Sequence, residues 1–196
     1  SGLGLTQTTF QNDGYVGRLD LAGNFNFLER IFDTNQSFST SFLLSDIEGV
    51  NDSVYYTSGV LRGTYTIGSN GLSYTSSTSN IFLSRFTNRN CDWFTNSTSS
   101  SSFFSADPQI ATQNGSVYLA GTFGGSLSFQ GRSIATGLGS PFSNIWFASK
   151  FDSSGSLEEI EPISVSAGSL TDIALNNKSE LYLVGSYNDS VSFAGN

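Results

Sequence analysis

Apolar and polar residues alternate along most of this chain with the two-residue period of β-strands, in short runs separated by Gly, Asn, Asp and Ser. Three runs share one pattern: Val54-Tyr55-Tyr56-Thr57-Ser58-Gly59, Val117-Tyr118-Leu119-Ala120-Gly121 and Leu181-Tyr182-Leu183-Val184-Gly185. A Tyr stands three residues before each Gly (Tyr56, Tyr118, Tyr182), and eight residues after each Gly comes a large apolar residue (Ile67, Phe129, Phe193). A further Gly follows each of these, Gly68, Gly131 and Gly195, and predicts a turn after a short strand.

A second motif recurs between these runs, as Gly14–Asp20, Ile81–Thr87 and Trp146–Asp152. One face carries an aromatic, a small and an apolar residue: Tyr15, Gly17 and Leu19; Phe82, Ser84 and Phe86; Phe147, Ser149 and Phe151. The other face carries Val16, Leu83 or Ala148, followed by a basic residue. Apolar character on both faces predicts a sheet that is covered on both sides. A turn follows each copy, with Asp20 and Gly23 in the first and Asp152 and Gly155 in the third; the second, Thr87-Asn88-Arg89-Asn90-Cys91, lacks the Gly and uses Asn, a residue that tolerates positive φ. With a short inner strand near Ile47, Ile110 or Ile173, each unit holds about four strands.

The repeat is therefore read as three four-stranded blades of about 65 residues in an all-β, β-propeller-like fold. A three-fold β-prism or β-trefoil is the alternative, with units usually shorter than these. The chain is one repeat domain, 1–196, with unit 1 at about 39–102, unit 2 at about 103–164 and unit 3 at about 165–196 completed by 1–38. Gly121 to Lys150 is 29 residues, and wrapping the end onto the beginning sets Arg18 the same distance after Gly185. Either the N-terminal strands complete the last blade, or the chain belongs to a longer array. Three blades are too few for a ring, so self-association or further blades are expected. The stretch Arg62–Ser79 is a degenerate version of the loop in the other copies, and Ser97–Ser102 is expected to be a low-complexity loop, with Phe103 and Phe104 re-entering the fold.

The run from Asn114 to Ser156, including Ile145-Trp146-Phe147-Ala148-Ser149-Lys150-Phe151-Asp152-Ser153-Ser154-Gly155, resembles the bacterial seven-bladed β-propeller (SBBP) repeat family. Thr171–Asn196 continued into Gly14–Asn24 matches nearly as well, and Asn51–Asn90 is a degenerate copy. The resemblance implies an exported or surface-attached bacterial protein; it implies no particular activity.

Composition narrows the function. Hydrophobic residues make up 37%, with 17 Phe, which is enough for a core, and charged residues only 12%. A net charge of −8 with eight scattered Lys and Arg argues against nucleic acid and against an anionic membrane surface. No apolar run is long enough to span a bilayer, so membrane insertion is not expected. The chain starts at Ser and contains no Met, so a processed start is expected, with any signal peptide already removed. The single cysteine, Cys91, excludes an internal disulfide framework and is expected to pack as a small hydrophobe.

With no His, histidine-dependent triads and the commonest zinc ligand are missing, and no cofactor is expected. Asp46, Asp107 and Asp172 recur near the starts of the inner strands, where a ring of carboxylates would attract a cation. The competing reading has them accepting hydrogen bonds from the backbone at strand starts. Trp93 and Trp146 are candidates for stacking on a sugar, with blade packing as the competing role. Glu158, Glu159 and Glu161 are read as a solvated strand end or loop. Six Asn-x-Ser/Thr sequons begin at Asn35, Asn51, Asn96, Asn114, Asn177 and Asn188, and they mark loops if the host glycosylates. The expectation is a non-catalytic, extracellular or cell-surface binding or adhesion module that meets a protein or glycan with its loops. An architectural segment of a larger surface or filamentous assembly is the alternative, and a carboxylate-only hydrolase comes third.

Overall fold

The Tyr–Gly runs and the aromatic–small–aromatic runs are neighbouring antiparallel strands wherever both members of a unit pair. The computed structural model describes residues 14–22, 25–34, 41–99, 107–135, 144–165, 168–187 and 191–193. These hold fifteen strands: β1 Gly14–Leu19, β2 Phe25–Thr34, β3 Ser41–Gly49, β4 Val54–Ile67, β5 Leu72–Thr87, β6 Asn90–Ser99, β7 Gln109–Gln113, β8 Ser116–Gly124, β9 Ser126–Phe129, β10 Arg132–Ala135, β11 Asn144–Phe151, β12 Leu157–Val165, β13 Ser169–Leu175, β14 Leu181–Ser186 and β15 Val191–Phe193. There is no helix among the described residues, and so none long and apolar enough to cross a membrane. The protein is all-β and propeller-like, as its periodicity predicts.

Two antiparallel meanders of four strands are complete: β3–β4–β5–β6, and β7–β8–β11–β12. Their registers are equivalent, with Tyr56 opposite Arg85 and Gly59 opposite Phe82 in the first, and Tyr118 opposite Lys150 and Gly121 opposite Phe147 in the second. The repeated Gly follows from this register. A Cβ at Gly59 would lie 2.0 Å from the Leu43 carbonyl oxygen and 2.9 Å from the Phe82 ring, and one at Gly121 would lie 3.0 Å from the Phe147 ring. Only glycine lets the inner strand and the aromatic ring approach so closely from both sides.

The remaining strands form half-blades. β1–β2 is an outer pair, and β13–β14 an inner pair. Among the described residues β14 pairs only with β13 and β1 only with β2.

The large apolar residue eight positions after each Gly lies on a strand that leaves its own blade. The end of β4 pairs with β2 (Ile67 opposite Phe32), β9 pairs with β6 (Phe129 opposite Ser97), and β15 pairs with β12 (Phe193 opposite Ile163). Each unit thus adds a strand to the outer edge of the unit before it, which curls the sheets into a continuous array. The core follows the same seams. One buried cluster joins Val16 to Tyr55, Leu61 and Phe82; a second joins Tyr56, Ile81 and Leu83 to Ile110, Phe129 and Phe147; a third joins Ala120, Trp146 and Ile163 to Leu170 and Ile173. Burial on both faces is what the doubly apolar strands require.

Two expectations are corrected. Arg62–Ser79 is not a loop. It extends β4 and β5 into a hairpin, with Gly63 opposite Ser76 and Ile67 opposite Leu72. Ser97–Ser99 are the last residues of β6, held by β9, and the buried Ser97 hydroxyl accepts a hydrogen bond from the Ile81 amide at 3.0 Å. The low-complexity composition is accommodated because backbone pairing does not depend on side-chain type. Ser100, Ser101, Ser102, Phe103, Phe104, Gly23 and Gly195 lie outside the described residues. The turns otherwise follow their chemistry: Asn88 has φ +55° and Gly155 φ +85°.

Candidate functional site

The inner strands β3, β7 and β13 are neighbours, and the candidate cation ligands lie on or beside them. Asp46 and Asp172 occupy equivalent positions, opposite Ser58 and Val184, each just after a bulge. The middle copy has Gln109 there, opposite Ala120; Asp107 precedes its strand by two residues. The Asp46 carboxylate accepts from its neighbour Ile47 N–H at 2.7 Å and, across the seam, from Ile110 N–H at 2.8 Å. Both of its oxygens are thus engaged by backbone amides. Asp172 accepts from Ile173 N–H at 2.8 Å, and Asp107 from the Ser45 hydroxyl at 3.5 Å. Among the described residues no three His, Cys, Asp or Glu side chains gather in a metal-binding group.

Both tryptophans lie at seams. Trp93, on β6, donates its indole N–H to the Ser153 carbonyl at 3.0 Å and rests on Gly155, where a Cβ would come within 2.7 Å of the ring. Gln130, at φ +48°, reinforces this turn by donating to the Gly155 carbonyl at 2.6 Å and accepting from Leu157 N–H at 2.9 Å. Trp146 is buried, with its ring 2.5 Å from where a Cβ on Gly185 would stand. Its indole N–H has no hydrogen-bond partner among the described residues.

Other singled-out groups have local roles. Cys91 is buried, and desolvation, reinforced by the Asp92 carboxylate, pushes its thiol up to about 12. Glu158, Glu159 and Glu161 project from β12 into solvent, with Glu158 2.7 Å from Lys150. Hydrogen bonds from Ser154 Oγ and the Ser156 amide hold the Asp152 carboxyl below its ordinary value. Of the sequons, Asn51, Asn114 and Asn177 fall in the connection between the two inner strands of successive units, and Asn96 lies in β6. Asn51 Oδ1 accepts from Ser53 and Val54 amides there. Asn35 and Asn188 lie outside the described residues.

Spacing alone did not reveal the groove between the first two inner hairpins. It has a volume of about 250 Å³ and is lined by Gly49, Val50, Tyr56, Thr112, Gln113 and Asn114, among others. Val50 is an exposed apolar side chain. Gln113 donates to the Asn176 carbonyl at 2.7 Å, while its buried Oε1 accepts no hydrogen bond among the described residues. Glu48 borders the groove through Thr112, whose hydroxyl donates to Oε1 at 3.4 Å. Burial raises the Glu48 carboxyl above its ordinary value, the Thr112 hydrogen bond opposes this, and the Asp46 charge adds to it. A surface like this offers shape, an apolar contact and polar handles. Compared with protein-family models and with curated proteins, the chain matches none.

Proposed function

We infer that this protein is a non-catalytic binding or adhesion module that acts outside the cell or at a bacterial surface, and that it takes a protein or glycan on the rim formed by its inner hairpins. The observation carrying this reading is the groove between those hairpins, where exposed Val50 stands among the polar side chains of Thr112, Gln113 and Asn114. A ligand that combines an apolar contact with hydroxyl or amide groups is the complement of such a wall, with the interblade packing holding it in shape. The low charge, the single buried cysteine and the resemblance to exported SBBP repeats support the location.

A glycan array probed with the full chain tests the glycan form of this reading. Binding is expected to be lost on Gln113→Leu and on Val50→Lys. A native chain that binds no glycan while polymerising with concentration would shift the reading to an architectural subunit. That second reading is favoured by the edges of β1 and β14, which pair with no further strand among the described residues.

A further inference from the structure

Equivalent positions in the repeat differ sharply in exposure, and the differences collect at two edges. Ile110 and Ile173 are 4% and 6% exposed, whereas Ile47, at the same register in β3, is 48% exposed. Phe86 and Phe151 are fully buried, yet their equivalent in β1, Leu19, is 52% exposed. On β14, Val184 is 58% exposed, while Ser58 and Ala120, its equivalents, are fully buried. These apolar side chains stand where the complete blades have a neighbour.

The two edges are complementary. Among the described residues β1–β2 is an outer pair without the inner strands of its blade, and β13–β14 is an inner pair without the outer strands. Between β1 and β3 runs a groove of about 270 Å³, lined by Tyr15, Val16, Gly17, Leu44 and Ile47. In the second meander the inner strand β7 packs on β3 and β4 of the blade before it. The strands that β3 would pack on in the same way belong in this groove.

We propose that two copies of this chain associate with the β13–β14 hairpin of each seated in the β1–β3 groove of the other. The complete blades set the register: Tyr182 lies opposite Arg18, as Tyr56 does opposite Arg85 and Tyr118 opposite Lys150. Gly185 then faces Tyr15, as Gly59 faces Phe82 and Gly121 faces Phe147, and Leu183 faces Gly17. The pairing buries Ile47, Leu19 and Val184 and removes both open edges, as closure of a sheet requires. Two copies joined at both ends hold six blades, within the range of closed propellers, whereas one copy closed on itself would hold three.

Light scattering on the full chain tests this, with an expected mass of about 42 kDa, twice the 21.0 kDa of one chain. Tyr182→Lys with Val184→Lys places like charge against Arg18 and is expected to give a folded species at the single-chain mass. A second measurement does not depend on that variant. Gly17→Cys and Leu183→Cys are made in separate chains and mixed under oxidising conditions. At the equivalent pair in the first blade the Thr57 and Ser84 hydroxyls are 2.7 Å apart, close enough for a disulfide between cysteines at those sites. A covalent pair in the mixture, and none in either variant alone, is expected. A native chain that is monomeric and does not cross-link, or one that forms open polymers, overturns the proposal.

Discussion

The Asp46 carboxylate accepts a hydrogen bond from Ile110 N–H at 2.8 Å, tying two inner strands together across 64 positions of sequence. The other oxygen holds the Ile47 amide. Asp46→Ala leaves two donors unpaired, one at a part-buried seam, and is expected to cost roughly 1–3 kcal/mol in urea unfolding. Asp46→Asn retains one carbonyl oxygen and can accept only one of the two bonds, so its loss is expected to be about half as large. Equal stability of the three proteins would remove the seam role. Calcium added to the native chain is expected to leave its unfolding midpoint unchanged, because both oxygens are committed to backbone amides.

The repeated glycines rank by the atoms a methyl would meet. At Gly59 the new Cβ stands 2.0 Å from a backbone oxygen, which can move only with β3. At Gly121 the nearest atom is a Phe147 ring carbon at 3.0 Å, a side-chain atom and not backbone, with the Pro108 Cα next at 3.3 Å. Gly59→Ala is expected to cost roughly 3 kcal/mol or more and Gly121→Ala about 1–2 kcal/mol, the usual range for overpacking a tight site. The order, read from thermal unfolding of the two variants, is the check.

The local parts of this architecture were legible in the residues. Alternation located the strands, the Tyr–Gly and aromatic–small–aromatic runs paired as their spacing suggested, and Asn88 took the positive φ that its turn needed. The non-local parts were not. Ile67 and Phe129 looked like strands of their own units, yet each pairs with the outer strand of the preceding one, a choice made by edges that sequence does not display. Spacing makes Asp107 the counterpart of Asp46 and Asp172, but the bulges before those two residues shift the register so that Gln109 is the match. The groove beside Gln113 arises from two hairpins 60 residues apart, and nothing in either hairpin alone announces it.

Cys91 is buried on β6, and its thiol is pushed up to about 12. At pH 8 the thiolate fraction should be roughly a thousandfold below that of an ordinary cysteine. Iodoacetamide is expected to leave the native chain unmodified by mass spectrometry over hours and to label it completely in denaturant. Rapid labelling of the native protein at pH 8 would show instead that β6 opens readily from β5.

Glu48 gives a pH dependence with a definite sign. Burial, opposed by Thr112 and assisted by the Asp46 charge, raises its carboxyl in the folded state, so folding favours the protonated form. Stability associated with that proton is present below the ordinary carboxylate range and is lost as pH rises through the elevated folded value. At pH 7 the folded protein therefore carries the cost of a partly buried charge, which the neutral amide of Glu48→Gln avoids while still accepting from the Thr112 hydroxyl. The variant is expected to melt slightly above the native chain at pH 7, with the gap closing as pH falls below the ordinary glutamate range. A variant that melts lower at pH 7, or a gap that widens on acidification, would mean that Thr112 stabilises the charged carboxylate more than burial disfavours it.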